Sequence, residues 1–259
     1  PPDTSLTSRL IRASIPSVLR PVHLSVLLLL ITSAIADDAA NRRELIRSLA
    51  RGAGELGRVT LGEVVEATTG KKVLPFPAEG DAVAARILAA LKNALATTLE
   101  QANAANSGAK KQARINEVSR FFEDHLRELL NATSGFTCDW PKTKDGKVQR
   151  SGYPDLRLVH HASGRVTYLD PKVYAADSGE SSFRTFYFEP GEGTGKITED
   201  AHHLILGIAH DGNTGAWKFT GWKVVDVSQI SLQLKAEFNA SNREMYAREA
   251  VRGEGRAGN

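Results

Sequence analysis

The chain has 259 residues, 41% of them hydrophobic and 24% charged, a balance that fits a folded protein and excludes a disordered, low-complexity one. Its 33 lysines and arginines against 30 acids leave a net charge of only +3, so a nucleic-acid surface has to be a local patch. One cysteine, Cys138, excludes a disulfide framework and a cysteine-rich zinc site.

Residues 1–36 read apart from the rest. Arg9, Arg12 and Arg20 precede an apolar run over 22–31, and Ala34-Ile35-Ala36 follows, the three parts of a secretory signal peptide. The run is short for a membrane span, and no other stretch reads as one. The expected mature protein starts at Asp37, is secreted or periplasmic, and carries no membrane segment. The alternatives are a buried helix, or a mis-assigned start on a cytosolic protein. Without Asp3 and the three arginines, 30 basic residues face 29 acidic ones, so part of the basicity belongs to the leader.

Residues 37–108 are expected to form an N-terminal helical segment. Short helices are expected over 42–53 and 60–68, ended by Gly70, and Pro75 and Pro77 break the chain. Asp81 can cap a long helix over 81–105, with Val83, Ile87, Leu88, Leu91, Leu95 and Leu99 as its core-facing stripe. A second helix is expected over 109–131, with Ile115, Val118, Phe122 and Leu129 on one side. Between it and the next element, Lys142, Lys144, Lys147 and Arg150 surround Asp145-Gly146. These are either phosphate contacts or a solvated loop.

Residues 152–174, GYPDLRLVHHASGRVTYLDPKVY, read as two strands around Ser163-Gly164. With a two-residue loop, Asp155 lies across from Lys172 and Arg157 across from Asp170. Side chains alternate with period two, so Asp155, Asp170 and Lys172 share a face, close enough for two carboxylates to hold one ion. A three-residue loop breaks this register. Pro171 removes a ladder donor and implies an edge, a bulge or a strand end.

Pro154-Asp155 followed by Asp170-Pro171-Lys172 resembles the PD-(D/E)XK motif of restriction-endonuclease-like nucleases. The resemblance covers about residues 109–250 and implies a nuclease domain over 109–259. It further implies an α/β fold, a central mixed sheet flanked by helices, and Mg²⁺-dependent hydrolysis of DNA. Asp155 and Asp170 then hold the metal, and Lys172 positions or activates the attacking water. The family also places an acid on the helix before the first of these strands, and Glu117 and Glu123 both qualify. Six residues apart, they point about 240° from one another, so at most one faces the hairpin. The Asn116–Ser119 run followed by Glu123 is similar to the helix of methyl-directed mismatch-repair endonucleases, which favours Glu123, with Glu117 in reserve. DNA is the implied partner, and a homodimer is a further expectation.

Downstream, 182–189 reads as a third strand, 190–195 as a glycine-rich turn without a P-loop ending, and 202–210 as a buried central strand. Another strand is expected over 216–227. Residues 231–238 are read as extending the sheet, and 239–251 as a closing helix whose Arg243 and Tyr246 are either phosphate contacts or plain helix surface. The adjacent pairs His160-His161 and His202-His203 point to opposite faces of a strand, so neither chelates an ion alone. Three functions follow: an exported DNA endonuclease or its cytosolic type II restriction counterpart; a non-catalytic nucleic-acid-binding module; and an exported hydrolase with a histidine metal site.

Overall fold

The computed structural model describes residues 38, 40–52, 54–178, 186–189, 195–235, 237 and 239–253. The expected leader, residues 182–185 of the third strand and 190–194 of the glycine-rich turn lie outside the described residues. The chain divides into two compact units: Arg58–Gln233, and Pro1–Gly57 with Leu234–Asn259.

In the second of these units, residues 40–52 form helix α1, whose surface carries the pairs Arg42–Asp38 and Arg47–Glu44 at 3.0 and 3.2 Å. The closing helix expected over 239–251 shrinks to α5 (Asn242–Met245). Met245 and Tyr246 stay exposed there, so no buried apolar face supports a longer helix.

The larger unit opens with β1 (Arg58–Thr60) and α2 (Leu61–Thr69). Thr60 and Glu63 close a capping box at the start of α2, and Gly70 ends it in the left-handed region at φ 70°. β1 pairs with β8 (Ser231–Gln233) as a separate two-stranded ribbon, so residues 231–238 do not extend the main sheet.

That sheet has six strands: β2 (Val73–Leu74), β3 (Phe136–Asp139), β4 (Leu156–His160), β5 (Val166–Ala175), β6 (Ala201–His210) and β7 (Phe219–Asp226). Antiparallel β3, β4 and β5 run to the parallel pair β5–β6. The free edge of β6 is shared by β2, parallel at Ala201 and His202, and β7, antiparallel from Leu204 onward. The sheet is mixed, as expected, and β6 is its buried central strand. β3 falls inside the stretch read as a loop. The described part of the expected third strand, 186–189, is irregular.

Helices cover both faces. α3 (Ala82–Asn103) and α4 (Ile115–Ala132) bury Ile87, Leu91, Leu95, Val118, Phe122, Leu126 and Leu130 against Leu156, Leu158, Leu204, Leu206 and Phe219. Leu61 and Val65 of α2 meet Val166, Tyr168 and Ile197 in a second cluster. By length and hydropathy α3 would pass for a membrane span, but one of its faces is committed to this core. The boundary expected at 108–109 runs between α3 and α4, which share that core. The compact unit that holds both helices spans Arg58–Gln233.

α4 starts six residues later than expected, at Ile115. Trp217 Nε1 donates to the Gln112 carbonyl at 2.9 Å, and residues 109–111 make only a 3₁₀ turn. Phe122 packs edge-on against Phe219, ring centroids 5.0 Å apart, at the centre of the core. Phe122→Ala is expected to cost about 3–5 kcal/mol, read as a shift in denaturant midpoint without a change in slope.

Candidate active site

The hairpin that carries the acids forms with a longer loop than expected. Leu156 pairs with Leu169 and Val159 with Val166, and the His160 N–H donates to the Arg165 carbonyl, so residues 161–164 are the loop. Continued by one residue, this register sets Asp155 opposite Asp170 instead of Lys172, and the Asp155 N–H bonds the Leu169 carbonyl at 3.1 Å. The slip is two residues. Because faces alternate with period two, Asp155, Asp170 and Lys172 remain on one side.

Pro171 lies within β5, between β4 and β6, and the same bond explains why it is tolerated. Leu169 directs its backbone towards β4, so residue 171 points the same way, past the point where β4 begins. The missing N–H therefore removes no ladder bond. The strand is central, and the edge is local to this position.

Asp170 is 1% exposed, and Lys172 Nζ lies 2.5 Å from its Oδ2 and 3.9 Å from Asp155 Oδ2. The Asp170 contact is an ion pair by distance, yet neither Asp170 oxygen has a hydrogen-bond partner of good geometry among the described residues. Burial, and then the charge of Asp170, push the Asp155 carboxyl up to about 8, against a downward pull from Lys172.

Glu123 reaches the same cleft from α4 and is buried, whereas Glu117 is exposed on the helix surface. Arg150 Nη2 holds Glu123 Oε2 at 3.2 Å and Asp124 Oδ1 at 3.0 Å. Its guanidinium carbon lies 3.9 Å from the centroid of the Trp140 ring. The cleft, about 600 Å³, is lined by Glu123, Asp155, Lys172, Arg150, Arg120 and Ser119, among others. Lys142, Lys144 and Lys147 are exposed on the β3–β4 connection, free of the ion pairs found among the described residues.

Lys196 was not anticipated. It is 2% exposed, and its ammonium donates to the Gly152 carbonyl, three residues before Asp155. Burial lowers its pKa from the usual lysine value, while Asp155, Asp170 and Glu123 pull it back up, and it lines a neighbouring pocket with Gly152 and Tyr153. Its only sequence signal was its position, a lysine just after a glycine-rich turn. Lys196→Met orphans the Gly152 carbonyl at a cost of about 1–3 kcal/mol. Calorimetry should show this as a drop of about 2–4 °C per kcal/mol.

The histidines do not converge. His203 accepts or donates to the Tyr153 hydroxyl at 2.8 Å and is held neutral by burial, and His202 Nδ1 faces the Leu74 carbonyl. Among the described residues no three His, Cys, Asp or Glu side chains form a metal-binding group. Cys138 is buried in β3, its thiol pushed up to about 12 by burial, which makes it a core residue. Arg243 and Tyr246 are exposed in the smaller unit.

A mixed sheet between helices, with two facing acids and a lysine where its hairpin opens into a cleft, defines an α/β protein with a charge cluster at one end of its hairpin. The family model of the type II restriction enzyme MjaV family matches residues 56–249, and the chain belongs to that family. It is 37% identical over 149 residues to "Type II restriction enzyme MjaV" of Methanocaldococcus jannaschii. That similarity covers 55% of this chain and 64% of the relative.

Proposed function

We propose that the chain is a Mg²⁺-dependent DNA endonuclease of the PD-(D/E)XK type. The observation that carries the reading is Asp155 facing Asp170 across the hairpin, with Lys172 between 2.5 and 3.9 Å from both. Family membership supports it independently.

The donor set fits a small, hard cation. A buried carboxylate, Asp170, and a half-buried one, Asp155, are set side by side, and neither oxygen of Asp170 has a hydrogen bond of good geometry among the described residues. Mg²⁺ needs only one or two protein carboxylates and fills its other positions with water and phosphate. Asp155 and Asp170 would hold it, with Glu123 as the further acid. Bound there, Mg²⁺ would neutralise charge on the phosphate and make a bound water more acidic.

The chain's own groups do the rest. Lys172 Nζ, on the face of the two acids, would donate to the attacking water or to the phosphate oxygen that gains charge. Its ion pair with Asp170 holds the ammonium in place before substrate arrives. Exposed Lys142, Lys144 and Lys147 would contact the DNA backbone, giving affinity that falls steeply with salt.

Family membership favours restriction over degradation of external DNA. A homodimer, one copy per strand, completes the proposal. The test is incubation of plasmid and linear DNA with the full chain, in Mg²⁺ or EDTA. Discrete fragments formed only in Mg²⁺ support restriction, and a smear supports general degradation. A folded protein that binds DNA but never cuts it points to the binding module instead.

A further inference from the structure

Arg150 has two claims on it. It rests on Trp140, and the same Nη2 touches both Glu123 and Asp124. Glu123 is therefore already engaged by a protein cation, as Asp170 is by Lys172, and Glu123, Asp155 and Asp170 do not form a common ligand group among the described residues. Arg150 is not sealed in this position. Its side chain is 43% exposed and lines the cleft beside Ser151, Asp155 and Lys172.

We propose that Arg150 changes partners on substrate binding: it leaves Glu123 for a phosphate of the DNA, and so frees Glu123 for the cation held by Asp155 and Asp170. The inference rests on the endonuclease reading above. A guanidinium keeps its charge in a protein, so on leaving Glu123 Arg150 is best satisfied by another anion. A phosphate is that anion, because its oxygens accept the forked donors in pairs. Trp140 and Asp124 keep the guanidinium at the cleft while the third partner changes.

Charge makes the exchange cooperative. In the protein alone, Arg150 and Lys172 already pair with Glu123, Asp124 and Asp170. A divalent cation arriving alone adds unbalanced positive charge, whereas one arriving with a phosphate does not. Metal and DNA should therefore strengthen one another's binding, and the coupling is reciprocal. The complete acid set is assembled only when substrate is present.

The test compares the wild type with Arg150→Met, using the full chain. Calorimetric titration with Mn²⁺ in the absence of DNA should show binding tighter by about 5–10-fold in the variant, because Glu123 is released. The gain in DNA affinity on adding Ca²⁺, read by fluorescence anisotropy against an EDTA control, should shrink by a similar factor. Arg150→Lys keeps the charge but loses the fork. It should leave Mn²⁺ binding near wild type and weaken DNA binding. Adding Glu123→Gln to Arg150→Met should abolish the gain in Mn²⁺ affinity. Unchanged or weaker Mn²⁺ binding in Arg150→Met, with wild-type cleavage intact, overturns the exchange and leaves the endonuclease reading standing. A folded wild type that neither binds Mn²⁺ nor cuts DNA overturns both.

Discussion

Lys172→Ala and Asp170→Asn are each expected to cut DNA at least about 10²–10³-fold more slowly than the wild type, with DNA binding retained. Lys172 contributes the ammonium nearest both acids, and Asp170 the buried carboxylate that it pairs with. The two variants should part in stability. Asp170→Asn replaces a buried charge with a neutral group that no longer depends on Lys172, so the metal-free variant should melt near or above the wild type, while Lys172→Ala leaves the Asp170 charge buried without its partner and should melt lower. Single-turnover cleavage and EDTA melting curves measure the two effects. Wild-type cleavage by Lys172→Ala would place the chemistry elsewhere.

The metal-free protein is also expected to lose stability as pH rises from about 6.5 to about 8. The group responsible is Asp155, raised from an ordinary 3.8 to about 8. Between these values the folded state keeps a proton that the unfolded state has released, so each step up in pH costs stability. The contribution is complete below the unfolded value and is lost as pH rises through about 8. His203 acts the other way, because its pKa falls from 6.5 to about 3 on folding, and its loss of stability comes as pH drops below 6.5. The window above 6.5 therefore isolates the acid. Mg²⁺ binds the ionised carboxyl, so its stabilising effect should be larger at pH 8 than at pH 6.5. Melting temperature against pH, in EDTA and in Mg²⁺, reads both slopes. Asp155→Asn should flatten the EDTA profile, and a wild-type profile already flat above 6.5 would discard the assignment.

The placement of Asp155, Asp170 and Lys172 was legible because strand periodicity has only two outcomes, in or out. A slip of two residues at the 161–164 loop changed which side chains face one another and left their common face intact. Helical angle allowed only one of Glu117 and Glu123 to face the hairpin, the resemblance favoured Glu123, and Glu123 is the buried one. Long helices were legible from capping residues and apolar stripes, Asp81 and Leu91 among them. What stayed hidden depends on distant partners. Gln112 gives its carbonyl to Trp217 and so delays α4. β8 finds β1 across most of the unit. Lys196 sits in a stretch with no periodicity, where a lysine is ordinarily surface and nothing local announces that it is buried. Arg150 was legible as a cation near the hairpin, but its hold on Glu123 needed the fold.

The pairing of β2 with β6 bears on how the protein is made. Leu74 and His202 are neighbours although 128 residues separate them, and Asn103 of α3 bonds Phe219 from 116 residues away. A ribosome delivers residues from the amino end, so α3 emerges long before the strands that cover its apolar face. Until β6 and β7 have been synthesised, the hairpin acids have no parallel neighbour to lean on. A partly made chain should therefore not yet hold Asp155, Asp170 and Lys172 in their final places.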